Sequence, residues 1–149
     1  MIEFVFSERP IERRVELSPS FMRLAILAIM GKYPKQNFSV IQIQAYLWGF
    51  LSQDNMQKLS LLNKYKPIYV IPLYDVPELD GIIGELCINQ FVQMKGAKFH
   101  ITSAGYHLMA LLKNEDLLID LDKSISSIGY LSESALNKIN LSLNYAEFL

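Results

Sequence analysis

Residues Phe91 to Leu112 read FVQMKGAKFHITSAGYHLMALL, and three local signals divide this run. Phe91 to Met94 is apolar and extended in character, which predicts a strand. Lys95-Gly96-Ala97-Lys98 predicts a tight turn, because Gly96 takes a positive φ at no steric cost. Phe99 to Ile101 is the return strand. Thr102 then offers a side-chain oxygen to the first turn of a helix over Ser103–Leu112. A hairpin followed directly by a capped helix is therefore expected.

Working outward, Asp75-Val76-Pro77-Glu78 has the spacing of a capping box and predicts a helix through Asn89, with Leu79, Ile82, Ile83 and Leu86 on one face. Further upstream, Ser18-Pro19 opens a helix that runs to about Lys32, where Tyr33-Pro34 stops it. Its apolar residues go nearly all the way round, so it is expected to be buried on most sides. Ser39 caps a second helix over VIQIQAYLWGFL, with Phe38 placed to staple onto the first turn. A third spans Asn55 to Asn63 with Met56, Leu59 and Leu62 inward. YKPIYVIPLYDVP, with three prolines, reads as an irregular or strand-like connection. Ser132 begins a last helix carrying Leu136, Ile139 and Leu143 on one face. The order helix, hairpin, helix is that of a winged helix. The expected fold is mostly α with a small β-hairpin, a winged-helix-like single domain over 1–149. Within it, 1–17 is an extended N-terminal arm or strand that begins MIEFVF, 18–113 the winged-helix core and 114–149 a C-terminal helical extension.

The bulk numbers bound the function. A chain of 149 residues suits one domain with a real core. Apolar residues make up 51% and charged residues 19%, a greasier balance than the roughly 25% charge of an average globular chain. Surplus apolar surface is what a permanent partner covers. Cys87 is the single cysteine, which excludes a disulfide framework within the chain and suggests a reduced, cytoplasmic setting. Met1 to Phe6 is too short for a signal peptide and is interrupted by Glu3. The most apolar run, Phe21 to Met30, is well below the roughly 20 residues of a membrane span.

The net charge of −1 hides a polarity: residues 1–74 carry nine Lys or Arg against five acids, and residues 75–149 carry five against ten. That distribution decides the reading of the wing. In a DNA-reading winged helix the helix ahead of the wing enters the major groove, and cationic contacts to phosphate supply most of the affinity. Here that helix carries Asp75, Glu78, Asp80 and Glu85 and no Lys or Arg. Lys95 and Lys98 at the hairpin are candidates for contact with a phosphate backbone. Sequence-specific reading is not expected.

Nor does the pattern point to catalysis. His100 and His107 are the only histidines, without ligands at metal spacing. Cys87 lies in an apolar helix without a base nearby, as an inert core thiol does. There is no Gly-rich loop ending in Gly-Lys-Ser/Thr, so no Walker nucleotide site. The chain is read as a non-enzyme without cofactor or metal.

The run LSPSFMRLAILAIMGKYPKQNFSVIQIQAYLWGF, the helix DGIIGELCINQFVQMKG, FHITSAGYHLMALL and a polar C-terminal helix together resemble the small middle component of bacterial three-component ABC systems of the Lamassu type. The likeness spans most of residues 15–145 and rests on hydrophobic pattern and order. It implies a compact winged-helix-like subunit in an anti-phage or anti-plasmid defence complex, joining an SMC-like coiled-coil ATPase to an effector, often a nuclease. No catalytic residue carries over. On this reading the basic arm (Arg9, Arg13, Arg14) and the acidic segment (Glu115, Asp116, Asp120, Asp122) are the candidate contacts for two partners. The alternatives are a dimeric winged-helix transcription regulator that binds DNA, and a small-molecule sensor with a pocket among Tyr46, Trp48 and Tyr106.

Overall fold

A computed structural model of the chain describes residues 18–62 and 78–136. The expected N-terminal strand, the arm with Arg9, Arg13 and Arg14, the proline-rich connection and the bulk of the last helix lie outside these residues.

Helix α1, Pro19–Lys32, begins where Ser18 caps it, the hydroxyl accepting from the Phe21 amide at 3.2 Å. Met22, Ala25, Ile26, Leu27, Ile29 and Met30 are all buried. These positions cover more than half of the helix circumference, so α1 must be packed against on several sides. It packs against four of the helices that follow and against the hairpin's second strand.

Helix α2, Val40–Gly49, opens with a reciprocal capping box: the Gln42 amide donates to Ser39 Oγ at 3.3 Å and the Ser39 amide donates to Gln42 Oε1 at 2.8 Å. Just before it, Phe38 is fully buried and forms an isolated antiparallel bridge with Phe99, through hydrogen bonds of 2.7 and 2.8 Å. Helix α3, Gln53–Ser60, starts two residues earlier than the spacing predicts, because Ser52 supplies the cap to the Asn55 amide at 3.0 Å.

Helix α4, Leu79–Ile88, buries Leu79, Ile82, Ile83 and Leu86, the expected face. Asp75, the expected capping residue, lies outside the described residues. Glu78 occupies the N-cap itself, with helical backbone and no side-chain cap bond. Its end uses a device that the sequence did not announce. Gln90 takes φ +66°, its amide donates to Cys87 O and the Phe91 amide donates to Leu86 O, both at 3.0 Å. These are the two bonds of a Schellman motif, built here on Gln in place of the usual Gly.

The chain then enters strand β1, Val92–Lys95, and returns as β2, Lys98–Ile101, antiparallel, with Val92 opposite Ile101 and Lys95 opposite Lys98. Gly96 at φ +63° makes the turn. Helix α5, Ser103–Leu112, follows at once, with Thr102 Oγ1 accepting from the Gly105 amide at 3.1 Å and donating to Gln90 O at 2.6 Å. One side-chain oxygen thus joins the start of α5 to the end of α4. Gly105 is required by this closure: a Cβ there would lie 2.3 Å from the Phe91 carbonyl oxygen.

Helix α6, Asp116–Ile128, lays Leu118, Leu121, Ile125 and Ile128 into the core against α1, α2 and α3. Residues 129–131 after it are held by α2. Gln42, the one buried polar side chain among the described residues, donates to Leu131 O at 2.8 Å. The Tyr46 hydroxyl donates to Gly129 O at 2.8 Å and accepts from the Leu131 amide at 2.9 Å. Both polar groups are therefore satisfied, and burial pushes the Tyr46 phenol above its ordinary pKa. Ser132 then caps a further helical turn, accepting from the Ala135 amide at 3.2 Å. Among the described residues no helix is long and apolar enough to cross a membrane.

Replacing Gly105 by Ala forces a methyl group against backbone that side-chain motion cannot relieve. Urea unfolding of the Gly105→Ala variant should show a loss of about 2–3 kcal/mol, and a change below 0.5 kcal/mol would contradict the packing described.

Candidate partner-binding surface

Among the described residues, the charged ones singled out in the sequence fall on three surfaces. The first is the exposed side of α6. Because Leu118, Leu121, Ile125 and Ile128 face the core, Glu115, Asp116, Asp120 and Asp122 all face outward. They do not converge. Glu115 is the N-cap residue and Asp116 lies in the first turn, where carboxylates favour the positive end of the helix dipole. Asp120 and Asp122, two positions apart, point to opposite flanks.

Each flank borders a groove. Asp120 lines one of about 430 Å³ with Phe21, Leu24, Phe50 and Leu117. Asp122 lines another of about 570 Å³ between α1, α5 and α6, and there it pairs with Lys32 at 3.0 Å. The single acidic patch expected from the sequence is thus divided by the helix that carries it.

The second surface is the outer side of α4. Asp80 and Ile88 are exposed. Glu85 is held by a bidentate pair with Arg23 of α1, at 2.5 and 3.2 Å. The hydrogen bonds from Arg23 hold the Glu85 carboxyl below the ordinary carboxylate range. Leu79–Ile88 itself contains no Lys or Arg, and the one cation reaching this face among the described residues is Arg23 of α1.

The third surface is the hairpin. Lys95 is exposed. Lys98 is paired with Glu133 at 2.7 Å, so its ammonium is already engaged in tying the hairpin to the turn after α6. His100 sits beside them half-buried; burial, and then Lys95, hold its imidazole below the ordinary histidine pKa.

The aromatic trio Tyr46, Trp48 and Tyr106 does not form a pocket. Tyr46 is in the core with its hydroxyl bound to residues 129–131, whereas Tyr106 is half-exposed on α5 and lines the larger groove, which neither Tyr46 nor Trp48 reaches. Burial pushes the Cys87 thiol up, away from thiolate. Among the described residues no group of three or more His, Cys, Asp or Glu is placed to hold a metal ion.

Sequence reasoning missed the grooves themselves. Their walls bring α1 and, in one groove, Phe50 together with α5 or α6, which lie far along the chain from them, and no local spacing announces such a meeting. The one available signal was the exposed apolar content of α6, Leu117 and Ile119, on a helix whose core stripe is already filled.

No protein-family model, curated protein or solved structure matches the chain.

The Arg23–Glu85 pair has a defined pH signature. A carboxyl whose folded pKa is depressed adds stability above its unfolded pKa, and that stability is lost as pH falls through the folded value. Glu85→Gln should therefore lower the urea midpoint at pH 7, with the difference from the parent chain shrinking as the pH drops through the carboxylate range. A difference independent of pH would place the effect elsewhere.

Proposed function

We propose that this chain is a non-enzymatic adaptor that uses a winged-helix-like arrangement for protein contact. The observation that carries this reading is the outer face of α4, the helix ahead of the hairpin. It presents the exposed Asp80 and the apolar Ile88, with Glu85 held by Arg23, where a DNA reader presents free cations. The bridge between Phe38 and Phe99 supports the winged-helix reading, since it adds a third extended segment to the hairpin edge. With Lys98 engaged by Glu133, Lys95 is the only one of the two hairpin lysines left to meet phosphate. Exposed apolar side chains border both grooves, Tyr106 and Ile119 on one flank of α6 and Leu117 on the other, as on surfaces that a partner covers.

The resemblance to the middle components of Lamassu-type systems supplies the class of partner: an SMC-like coiled-coil ATPase on one side and an effector, often a nuclease, on the other. The setting is then a bacterial cytoplasmic defence complex, and the chemistry belongs to the partners. The alternative of a dimeric DNA-binding regulator needs a cationic surface that α4 does not offer.

Co-expression with the adjacent genes followed by size-exclusion chromatography with light scattering tests this directly. A stable complex containing a coiled-coil ATPase is the expected outcome. The isolated chain titrated with a labelled duplex should show no salt-dependent anisotropy change at submicromolar protein. A lone homodimer binding one duplex with nanomolar affinity would overturn the adaptor reading in favour of the regulator.

A further inference from the structure

The groove between α1, α5 and α6 has a chemistry of its own. One stripe of α5, Tyr106, Met109, Ala110 and Lys113, turns toward it at helical spacing. From α1 it receives Ala28 and Gly31, which keep the floor low, and from α6 the side chain of Ile119. Tyr106 and Ile119 are 49% and 38% exposed, whereas Met109 is 8% exposed, so the apolar surface open to water is supplied by Tyr106 and Ile119 above a buried Met109.

Its rim is cationic. Three lysines line it, Lys32, Lys113 and Lys123, against the single carboxylate of Asp122. Asp122 is engaged by Lys32. Lys113 and Lys123 have no ion-pair partner among the described residues. A chain with a net charge of −1 thus concentrates uncompensated positive charge around a partly exposed apolar floor.

We infer that this groove docks an acidic amphipathic helix of another protein. Its apolar stripe lies on Tyr106 and Ile119, over the nearly buried Met109, and its flanking carboxylates meet Lys113 and Lys123. Each requirement follows from the groove. An apolar floor framed by helices accepts the i, i+3/i+4, i+7 face of a helix. Met109 has the unbranched, polarisable side chain that adapts to such a face. Cations on the rim select carboxylates and repel a basic helix, which gives partner choice more than affinity. A compact small molecule is poorly served, because the site is an open trough without convergent buried polar groups. The inference rests on the adaptor reading and assigns it a surface. It also replaces the acidic segment of α6 as the principal contact: Asp122 helps to hold the groove's wall, and the free charges of the rim are positive.

The test uses the full chain against a displayed library of helices of roughly 18 residues, long enough to hold helical structure, with a fixed leucine stripe and Glu, Gln or Lys randomised at the flanking positions. Selected helices should be net acidic and should bind the Lys113→Glu, Lys123→Glu double variant roughly tenfold or more weakly, as reversal of two rim charges implies. Tyr106→Ala should also weaken them, and Lys35→Glu, outside the groove, should not. Circular dichroism confirms that these surface variants are folded. Enrichment of basic helices, no enrichment by charge, or unchanged binding to the double variant overturns the inference. So does light scattering that shows a dimer broken by the double variant, since a second copy then fills the groove. Co-expression separates the two proposals. A complex with the adjacent gene products that survives the double variant sinks the groove assignment and leaves the adaptor reading intact. Acidic helices that bind a chain forming no such complex do the reverse.

Discussion

Helix α1 must bury most of its surface, and this constraint organises the molecule. Fourteen residues from Pro19 to Lys32 hold six buried apolar side chains that cover more than half of the helix circumference, with Phe21, Leu24 and Ala28 half-buried on the remainder. Each buried Leu, Ile or Met is stabilising by roughly 1.5–3 kcal/mol relative to exposure, so leaving one side open would forfeit much of the fold's margin. Enclosure needs α2 and α4 on some sides, α5 with the hairpin on another, and α6 over the remainder. Local devices then fix each wall. Gln42 and Tyr46 secure the chain where it leaves α6, and the Schellman turn at Gln90 with Thr102 and Gly105 sets α5 against the end of α4.

The same enclosure creates the surfaces on which function is proposed. Covering a cylinder with separate helices leaves seams, and α6 has one on each flank. The seam beside α5 is wide because Ala28 and Gly31 of α1 are small where the walls diverge. Placing α6 in the core by Leu118, Leu121, Ile125 and Ile128 also dictates that neighbouring acids along the chain face different ways. Electrostatic character here belongs to seams assembled from distant segments, not to runs of residues. On the opposite side, Arg23 of α1 reaches across to Glu85 and ties the acidic face of α4 to the central helix.

How much of this was legible in the sequence follows from the range of the interactions. Ser18, Ser39, Thr102 and Ser132 act on amides three residues away, and each is visible as a cap in a single line of text. Gly96 is visible for the same reason, since the turn requires its φ within four residues. The buried faces of α1 and α4 follow from helical spacing alone. The early start of α3 at Ser52 was missed because a serine ahead of a polar run lacks an apolar pattern behind it. Gln90 in the left-handed region was missed because the helix end borrows a residue that rarely adopts it. The Phe38–Phe99 bridge, the Lys98–Glu133 pair and the division of Asp120 from Asp122 depend on segments that meet only after folding. The grooves belong to this last group, so the acidic run over 115–122 read as one patch when it is two flanks.

Native-state hydrogen exchange resolved by residue is the most direct measurement of the central claim, that α1 is enclosed by walls of which α6 is an integral one. The account expects the amides of α1 and of the buried half of α6 to exchange slowest and together, each limited by global unfolding. Exchange of α6 through local opening, at a free energy well below that of α1, would show that α6 is an appendage, and would remove the grooves as permanent features of the surface.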